Sequence, residues 1–444
     1  MMDIVARIRS TRRASLPVCL ALCMLLAAAV PRAWAHKDAA GSEIAPRTSA
    51  TSFSDGASSQ AVTSSPAAAP SSSSPSSPVS PTPQIVPVLR ISVDNGPTHF
   101  QVKALHRFAD DVRQRLAGRL RVEVYDSASL YRDRDVLQAL NLGRVEMALP
   151  GTWVLHSVVP DCGVFMLPAF YGAPARASLA VADGPPGRII DARIERNLRV
   201  TVLGRWLPLG HANLYLVDQT ARRHEDLEGL RIRVAGGPAN ELRLAAMGAR
   251  PMVVPWPDLP QWLQSGNLDG LITTHETVVS GQLWRYGVSH VFEDRAYFAM
   301  YVPLVNRAFW ERLPEDMRTV LRDAWEAHVE EGRSLAAAAQ AEARETLRAK
   351  GLTFAVPDDA VLRRWRERLR AGEREMVDFV GVDPTLYEIA KSAEGQAEQA
   401  ASEEAGQSAS SNANYRFDVH VLSGSVCQYR AVSDSISPII REVS

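Results

Sequence analysis

Residues 226–286, DLEGLRIRVAGGPANELRLAAMGARPMVVPWPDLPQWLQSGNLDGLITTHETVVSGQLWRY, constrain the fold more than any other stretch of the chain. Asp226 and Leu227 open a turn and Gly229 closes it. Leu230, Ile232 and Val234 then alternate with Arg231 and Arg233, the period of a strand with one apolar face. Gly236, Gly237 and Pro238 stop that strand. Leu242, Ala245 and Ala246 follow at helical spacing, and Gly248 stands where a helix is capped. Residues 252–256 read as a second strand, Asp258 can cap a short helix carrying Trp262 and Leu263, and Asp269, Gly270 and Leu271 begin a third strand. Strands and helices in this alternation predict a parallel sheet with helices on its faces. Ligands of such sheets bind beyond the carboxyl ends of the strands. Arg233, Trp256 and residues 274–276 fall at or just past those ends.

A second unit of the same kind comes earlier in the chain. Residues 88–94, VLRISVD, alternate as a strand, and Phe100, Leu105, Phe108, Val112 and Leu116 lie near one face of a helix over 99–116. A strand over 119–125, a helix over 135–142 stopped by Gly143, and a strand over 145–149 complete it. The last strand delivers Thr152 and Trp153 to a carboxyl edge. Strands are also read at 200–203, crossing between the two units, and at 297–306. Residues 314–350 form a long Ala-rich helix with Met317, Leu321, Trp325, Val329 and Leu335 along one side, and residues 361–379 an amphipathic helix with a basic, solvated face.

The stretch resembles the solute receptors of tripartite ATP-independent periplasmic (TRAP) transporters, of the C4-dicarboxylate type. DLEGLRIRV looks like their D-L-K-G-L-K-I-R-V segment. MGARPMVVPWPDLPQWLQSGNLDGLITTHE is similar to their "lGA-P" strand, aromatic, "aLQ-G-vDG" and "T-s-E" series, and GQLWRY to the "kLW-y" that follows. Residues 164–171, VFMLPAFY, resemble the family's "lPFly" segment. The resemblance implies an α/β, two-domain periplasmic binding protein with an inter-domain cleft, hinge strands and a long domain-spanning helix. It places the family's carboxylate-binding arginine on Arg233, whose planar paired donors match a carboxylate. Periodicity alone would leave Arg233 on the polar face of a strand, like Arg231. Trp256 matches the aromatic that lies against the ligand, or else is a core residue beneath the sheet. Thr273 and Thr274 offer hydroxyl donors, or cap a helix. Glu276 accepts hydrogen bonds from a ligand hydroxyl or amine, or pairs with Arg233. Thr152 and Trp153 lie in the loop that lines the family's cleft. Where the family often carries a second arginine, this chain departs with Gly210-His211-Ala212-Asn213, which makes His211 a further candidate.

The expected organisation is a signal peptide over 1–35, a Ser/Pro/Ala-rich tether over 36–86, one α/β domain from 87–209 plus 292–332, a second from 210–291 plus 333–391, and a low-complexity linker with a C-terminal extension over 392–444. Arg7, Arg9, Arg12 and Arg13, the apolar residues 16–30 and the small residues of Ala33-Trp34-Ala35 carry the signal-peptide reading, with twin-arginine export left open. The expected location is therefore the periplasm. Cys19 and Cys23 would leave with that peptide, so Cys162 and Cys427 remain, bridged or as separate thiols.

Charge is balanced, 49 Lys and Arg against 50 Asp and Glu, which gives no reason to expect nucleic acid as a partner. The sequence holds no phosphate-binding loop, no HExxH, no CxxC and no GxSxG, and its ten His are scattered. No cofactor, metal or catalytic activity is expected. The expected protein is a monomeric receptor that captures a small organic acid and docks on TRAP permease subunits driven by an ion gradient. A receptor feeding a membrane sensor, or a secreted hydrolase or lyase on the same scaffold, are the alternatives. Residues 36–86 and 392–414 lack the large apolar side chains of a core. Limited proteolysis is expected to trim both and leave a fragment from about residue 88 to residue 388; protection of either segment would contradict the reading.

Overall fold

The computed structural model of the chain describes residues 86–413. The chain opens with β1 (Val88–Ser92), α1 (Phe100–Arg115), β2 (Arg121–Tyr125), α2 (Asp133–Asn141), β3 (Met147–Ala148) and α3 (Thr152–Leu155). Buried 3-10 turns over Pro160–Met166 and Pro168–Phe170 lead to α4 (Ala175–Asp183), α5 (Pro185–Leu198) and β4 (Val200–Val202). Next come β5 (Leu207–Val217), β6 (Arg231–Val234), α6 (Pro238–Ala246), β7 (Arg250–Val253), α7 (Leu259–Gln264), β8 (Gly270–Thr273), α8 (His275–Ser280) and β9 (Val288–Tyr301). The remainder is β10 (Leu304–Asn306), α9 (Arg307–Arg312), α10 (Glu315–Ala349), β11 (Thr353–Ala355), α11 (Asp359–Arg370), α12 (Glu373–Val380) and α13 (Pro384–Ala413).

These strands form two sheets. The first has the order β2-β1-β3-β10-β4, with β1 parallel to β2 and β3, and β10 antiparallel to β3 and β4. The second has the order β11-β9-β5-β8-β6-β7. Within it β6 runs parallel to β7 and β8, as the alternation in 226–286 predicts, while β5 runs antiparallel to β8 and β9. The chain passes between the sheets at residues 203–206 and again at Val302 and Pro303. The fold is a mixed α/β, two-domain binding-protein fold with crossing strands.

Periodicity explains the elements. Leu89 and Ile91 of β1 are fully buried, and Phe100, Leu105, Phe108, Ala109 and Val112 form the buried stripe of α1. The 35-residue α10, about 52 Å long at 1.5 Å per residue, packs Trp325 edge-on against Phe108 of α1. Further along, Trp325 Nε1 donates to Arg205 O at 2.9 Å, Gln340 Nε2 to Leu209 O at 2.8 Å, and Arg344 grips Glu293 of β9. One helix thus holds the first sheet's helix α1, a crossing segment and the second sheet.

Two expectations need correction. The helix expected over 361–379 is two helices broken at Ala371 and Gly372, and its Arg366 is buried, donating to Tyr171 O at 2.7 Å and to Glu398 at 2.9 Å. Residues 392–413, expected to lack structure, continue α13, with Glu394 2% exposed and 3.6 Å from Arg366. Ala, Glu and Gln are strong helix formers, and small side chains such as Ala390 let the helix approach α4 and α5 without large apolar residues. Cys162 is buried and bridged to no cysteine among the described residues, and Cys427, the signal peptide, residues 36–85 of the tether and residues 414–444 lie outside the described residues.

Behind the second sheet lies a buried polar cluster. The Tyr171 hydroxyl donates to Asp294 Oδ2 at 3.1 Å and meets His224 Nε2, and the His224 ring lies 4.4 Å from that of Trp365. Burial, with Arg368 nearby, pushes the His224 pKa down to about 3. An unfolded histidine protonates near 6.5, so between those values the unfolded chain binds more protons. The stability due to the neutral ring is complete above 6.5 and is lost as pH falls towards 3. From pH 6.5 to about 4.5 the wild type should lose roughly 2–3 kcal/mol more unfolding free energy than His224→Gln. Urea unfolding at both pH values checks this, and equal losses would contradict it.

Candidate functional site

The cavity between the two sheets is built from their strand ends. Arg233 is the third residue of β6, a strand flanked by β7 and β8, and its side chain is 3% exposed. Its Nε donates to Val254 O at 2.9 Å, and among the described residues no carboxylate lies within ion-pair distance of it. Burial lowers its pKa to about 10, opposed by Tyr297, Asp133 and Asp94, so the guanidinium stays charged at neutral pH. Trp256 enters from the 3-10 turn after β7, Thr273 ends β8, and Thr274 caps α8. Trp153 of α3 enters from the first sheet's side, its ring 5.5 Å from that of Tyr301 and steeply tilted. All five line one cavity that encloses about 590 Å³ including its mouth.

Three expected residues do not line it. Glu276 is in neither expected arrangement: its Oε2 lies 2.7 Å from His99 Nε2, at the head of α1, in a contact too bent for a conventional hydrogen bond. His99 Nδ1 accepts from Gln101 N at 3.1 Å, which leaves the ring proton on Nε2, facing Glu276. Thr152, the first residue of α3, is fully buried, with no hydrogen-bond partner for its hydroxyl among the described residues. His211 turns to the opposite face of β5. There its Nε2 donates to Ala173 O at 2.9 Å and its ring packs on Phe298, and burial pushes its pKa down to about 4. It lines a separate, open cavity against α10, about 1150 Å³ with its solvent-filled mouth included. The reason is local: β5 shifts register around Gly210 and Asn213, so strict alternation fails there.

Sequence reasoning missed Asp94, Asp133, Tyr297 and Tyr301, all of which line the cavity with Arg233. Asp94 lies just past β1 and Asp133 opens α2, so the strand-end rule applied to the first sheet would have pointed to them. Burial holds both carboxyl pKa values above the usual range. The Asp133 backbone N–H pulls Asp94 down, Asp94 pushes Asp133 up, and Arg233 opposes the rise at both. Tyr301 OH accepts from Asn95 Nδ2 at 2.8 Å, and burial pushes the Tyr297 pKa up to about 12.

Close contacts join the two sides around the cavity. Gly237 adopts φ +85°, and a Cβ there would stand 2.7 Å from Met166 Sδ. Its absence lets α6 approach the 3-10 turn over Pro160–Met166, where Arg243 Nη1 donates to Met166 O at 3.1 Å. Among the described residues there is no group of three or more His, Cys, Asp or Glu able to hold a metal ion, and no helix long and apolar enough to cross a membrane.

Fold and cleft together define a two-domain solute receptor. The family described as bacterial extracellular solute-binding protein, family 7, matches residues 91–378, and the chain belongs to it. It is 26% identical over 312 residues to the C4-dicarboxylate-binding periplasmic protein DctP of Rhodobacter capsulatus, covering 69% of this chain and 91% of that protein. Among solved structures it is similar to a TRAP periplasmic solute-binding protein of Ralstonia eutropha H16 with bound (S)-2-acetolactate, at TM-score 0.64 and 24% identity over 70% of this chain and 99% of the other. It is also similar to the sugar-acid-binding protein of Advenella mimigardefordensis in complex with galactonate, at TM-score 0.66 and 19% identity over 71% and 100%. At these identities the structures speak to the fold. The family consists of solute receptors rather than enzymes.

Because His99 and Glu276 sit on opposite sides of the cleft, Glu276→Gln should loosen the contact between them. The expected result is a larger radius of gyration in small-angle scattering and a lower melting point, because the substitution removes the carboxylate charge that faces His99. An unchanged radius and melting point would contradict it.

Proposed function

We propose that this receptor captures a small organic acid between its two sheets, with Arg233 holding a carboxylate and the aromatic faces of Trp256 and Trp153 covering the rest. Thr273 and Thr274 supply hydroxyl groups at the second sheet's edge. The loaded receptor then docks on TRAP permease subunits in the membrane, which an ion gradient drives. The N-terminal signal peptide carries the chain to the periplasm, where it acts as a monomer. One observation supports this reading above the rest: a guanidinium 3% exposed, facing a cavity, held by one carbonyl and by no carboxylate within ion-pair distance among the described residues. A buried charge is costly without a partner, and a ligand carboxylate offers both charge and matching geometry. Bringing the two sides together around the acid excludes water and strengthens the contact.

Arg231 on the same strand supplies the control. Its fork is engaged by Asp269 at 2.9 and 2.7 Å at the start of the strand, and it does not line the cavity. Arg233→Lys keeps the charge and loses the paired planar donors. With charge-assisted hydrogen bonds contributing about 1.5–3 kcal/mol each, affinity for the acid that co-purifies should fall by about tenfold or more. Arg233→Ala should lose clearly more, and Arg231→Ala little. Calorimetry decides: wild-type affinity in Arg233→Ala, or a selective loss in Arg231→Ala, would overturn the assignment.

A further inference from the structure

The cavity carries opposite charges on its two sides. Arg233 comes from β6 of the second sheet, while Asp94 and Asp133 come from the strand end and helix start of the first. Asp94 and Asp133 are partly buried. Neither has a cation within ion-pair distance among the described residues, and Asp94 Oδ1 has no hydrogen-bond partner there. The neighbouring cations do not neutralise them: Arg132 is turned to Asp258, 3.5 Å away, and Arg134 is exposed. The attraction of Arg233 reaches both carboxylates across the cavity.

A ligand that occupies this space meets a cation at one end and a pair of carboxyl groups at the other. A dicarboxylate satisfies Arg233 and then sets its second carboxylate among aspartates, where like charges in a partly dry site repel. We propose that Asp94 and Asp133 form a cation-receiving end of the cavity, so that the ligand is a zwitterion with its carboxylate on Arg233 and an ammonium group on the aspartate pair. The inference rests on the carboxylate reading of Arg233 and specifies the other end of the same ligand. It makes Asp94 and Asp133 the residues that set specificity against dicarboxylic acids. The raised proton affinity of the pair fits, because a neighbouring ammonium group offsets the burial and like charge that disfavour the ionised carboxyls.

The test uses two series matched in length and differing only at the far end. Glycine, β-alanine, γ-aminobutyrate and δ-aminovalerate are set against oxalate, malonate, succinate and glutarate, with γ-hydroxybutyrate as the neutral counterpart of γ-aminobutyrate. Calorimetry on the wild-type receptor should show the best amino acid binding at least about tenfold more tightly than the dicarboxylate of its length, with γ-hydroxybutyrate, set against γ-aminobutyrate and succinate, between those two. Asp133→Asn and, separately, Asp94→Asn should narrow or invert that ratio while Arg233→Ala weakens both series. A dicarboxylate that matches or exceeds its amino-acid counterpart in the wild type overturns the inference, and so does binding by neither series. So does tighter binding of γ-hydroxybutyrate than of γ-aminobutyrate. An affinity indifferent to Arg233→Ala would instead overturn the carboxylate reading on which it rests.

Discussion

A guanidinium buried at the end of a parallel strand is the constraint on which the rest of the structure depends. Taking such a charge out of water costs several kcal/mol unless its surroundings replace the lost hydration. Here one carbonyl, from Val254, bonds it directly, while Asp94, Asp133 and Tyr297 supply a favourable field from further away. That arrangement keeps the charge without neutralising it. It requires a rigid base, which β6 has between β7 and β8, with Ile232 and Val234 buried in the core beneath. Arg231, two positions earlier, shows the alternative: paired in a fork with Asp269, its binding capacity is already used.

The cavity is also tied to the parts that join the two sheets. Gln340 of α10 donates to Leu209 O on β5 and to Thr274 Oγ1, and accepts from Glu276 N at 3.1 Å. A single side chain on the long helix therefore touches a strand that follows the crossing and the turn that presents Thr274 to the cavity. Thr274 also caps α8, so a cavity-lining hydroxyl doubles as the start of a helix whose next residues reach His99 on the other side. Cavity shape and the contact between the two sides share the same few residues. A shift in one is felt by the other, the coupling a receptor that encloses its ligand requires.

Much of this was legible in the sequence because the signals were periodic. Alternation over residues 230–234, helical spacing up to Gly248 and the strand-end rule put Arg233, Trp256 and Thr274 near strand ends, the family resemblance singled them out together with Thr273, and the structure brings these four to one cavity with Trp153. Periodicity fails where the backbone is irregular. The register shifts of β5 near Gly210 and Asn213 turn His211 to the other face, so counting residues misplaces it. Glu276 could not be assigned by sequence because its partner, His99, is remote in the chain. Asp94 reads as the end of a strand and Asp133 as a residue just ahead of a helix, and the packing of β1 beside β2 and β3 brings them towards Arg233. The helix over 392–413 was missed for the opposite reason: low apolar content was weighed above the strong helix preference of Ala, Glu and Gln.

The most direct test of the central claim is a crystal structure of the receptor grown with the acid that co-purifies with it. The account predicts the ligand carboxylate between the two sheets with both its oxygens about 3 Å from the Arg233 guanidinium nitrogens, and Trp256 against its apolar part. Ligand density in the larger cavity beside His211 and Phe298, or a carboxylate that leaves Arg233 to Asp133 alone, would contradict it.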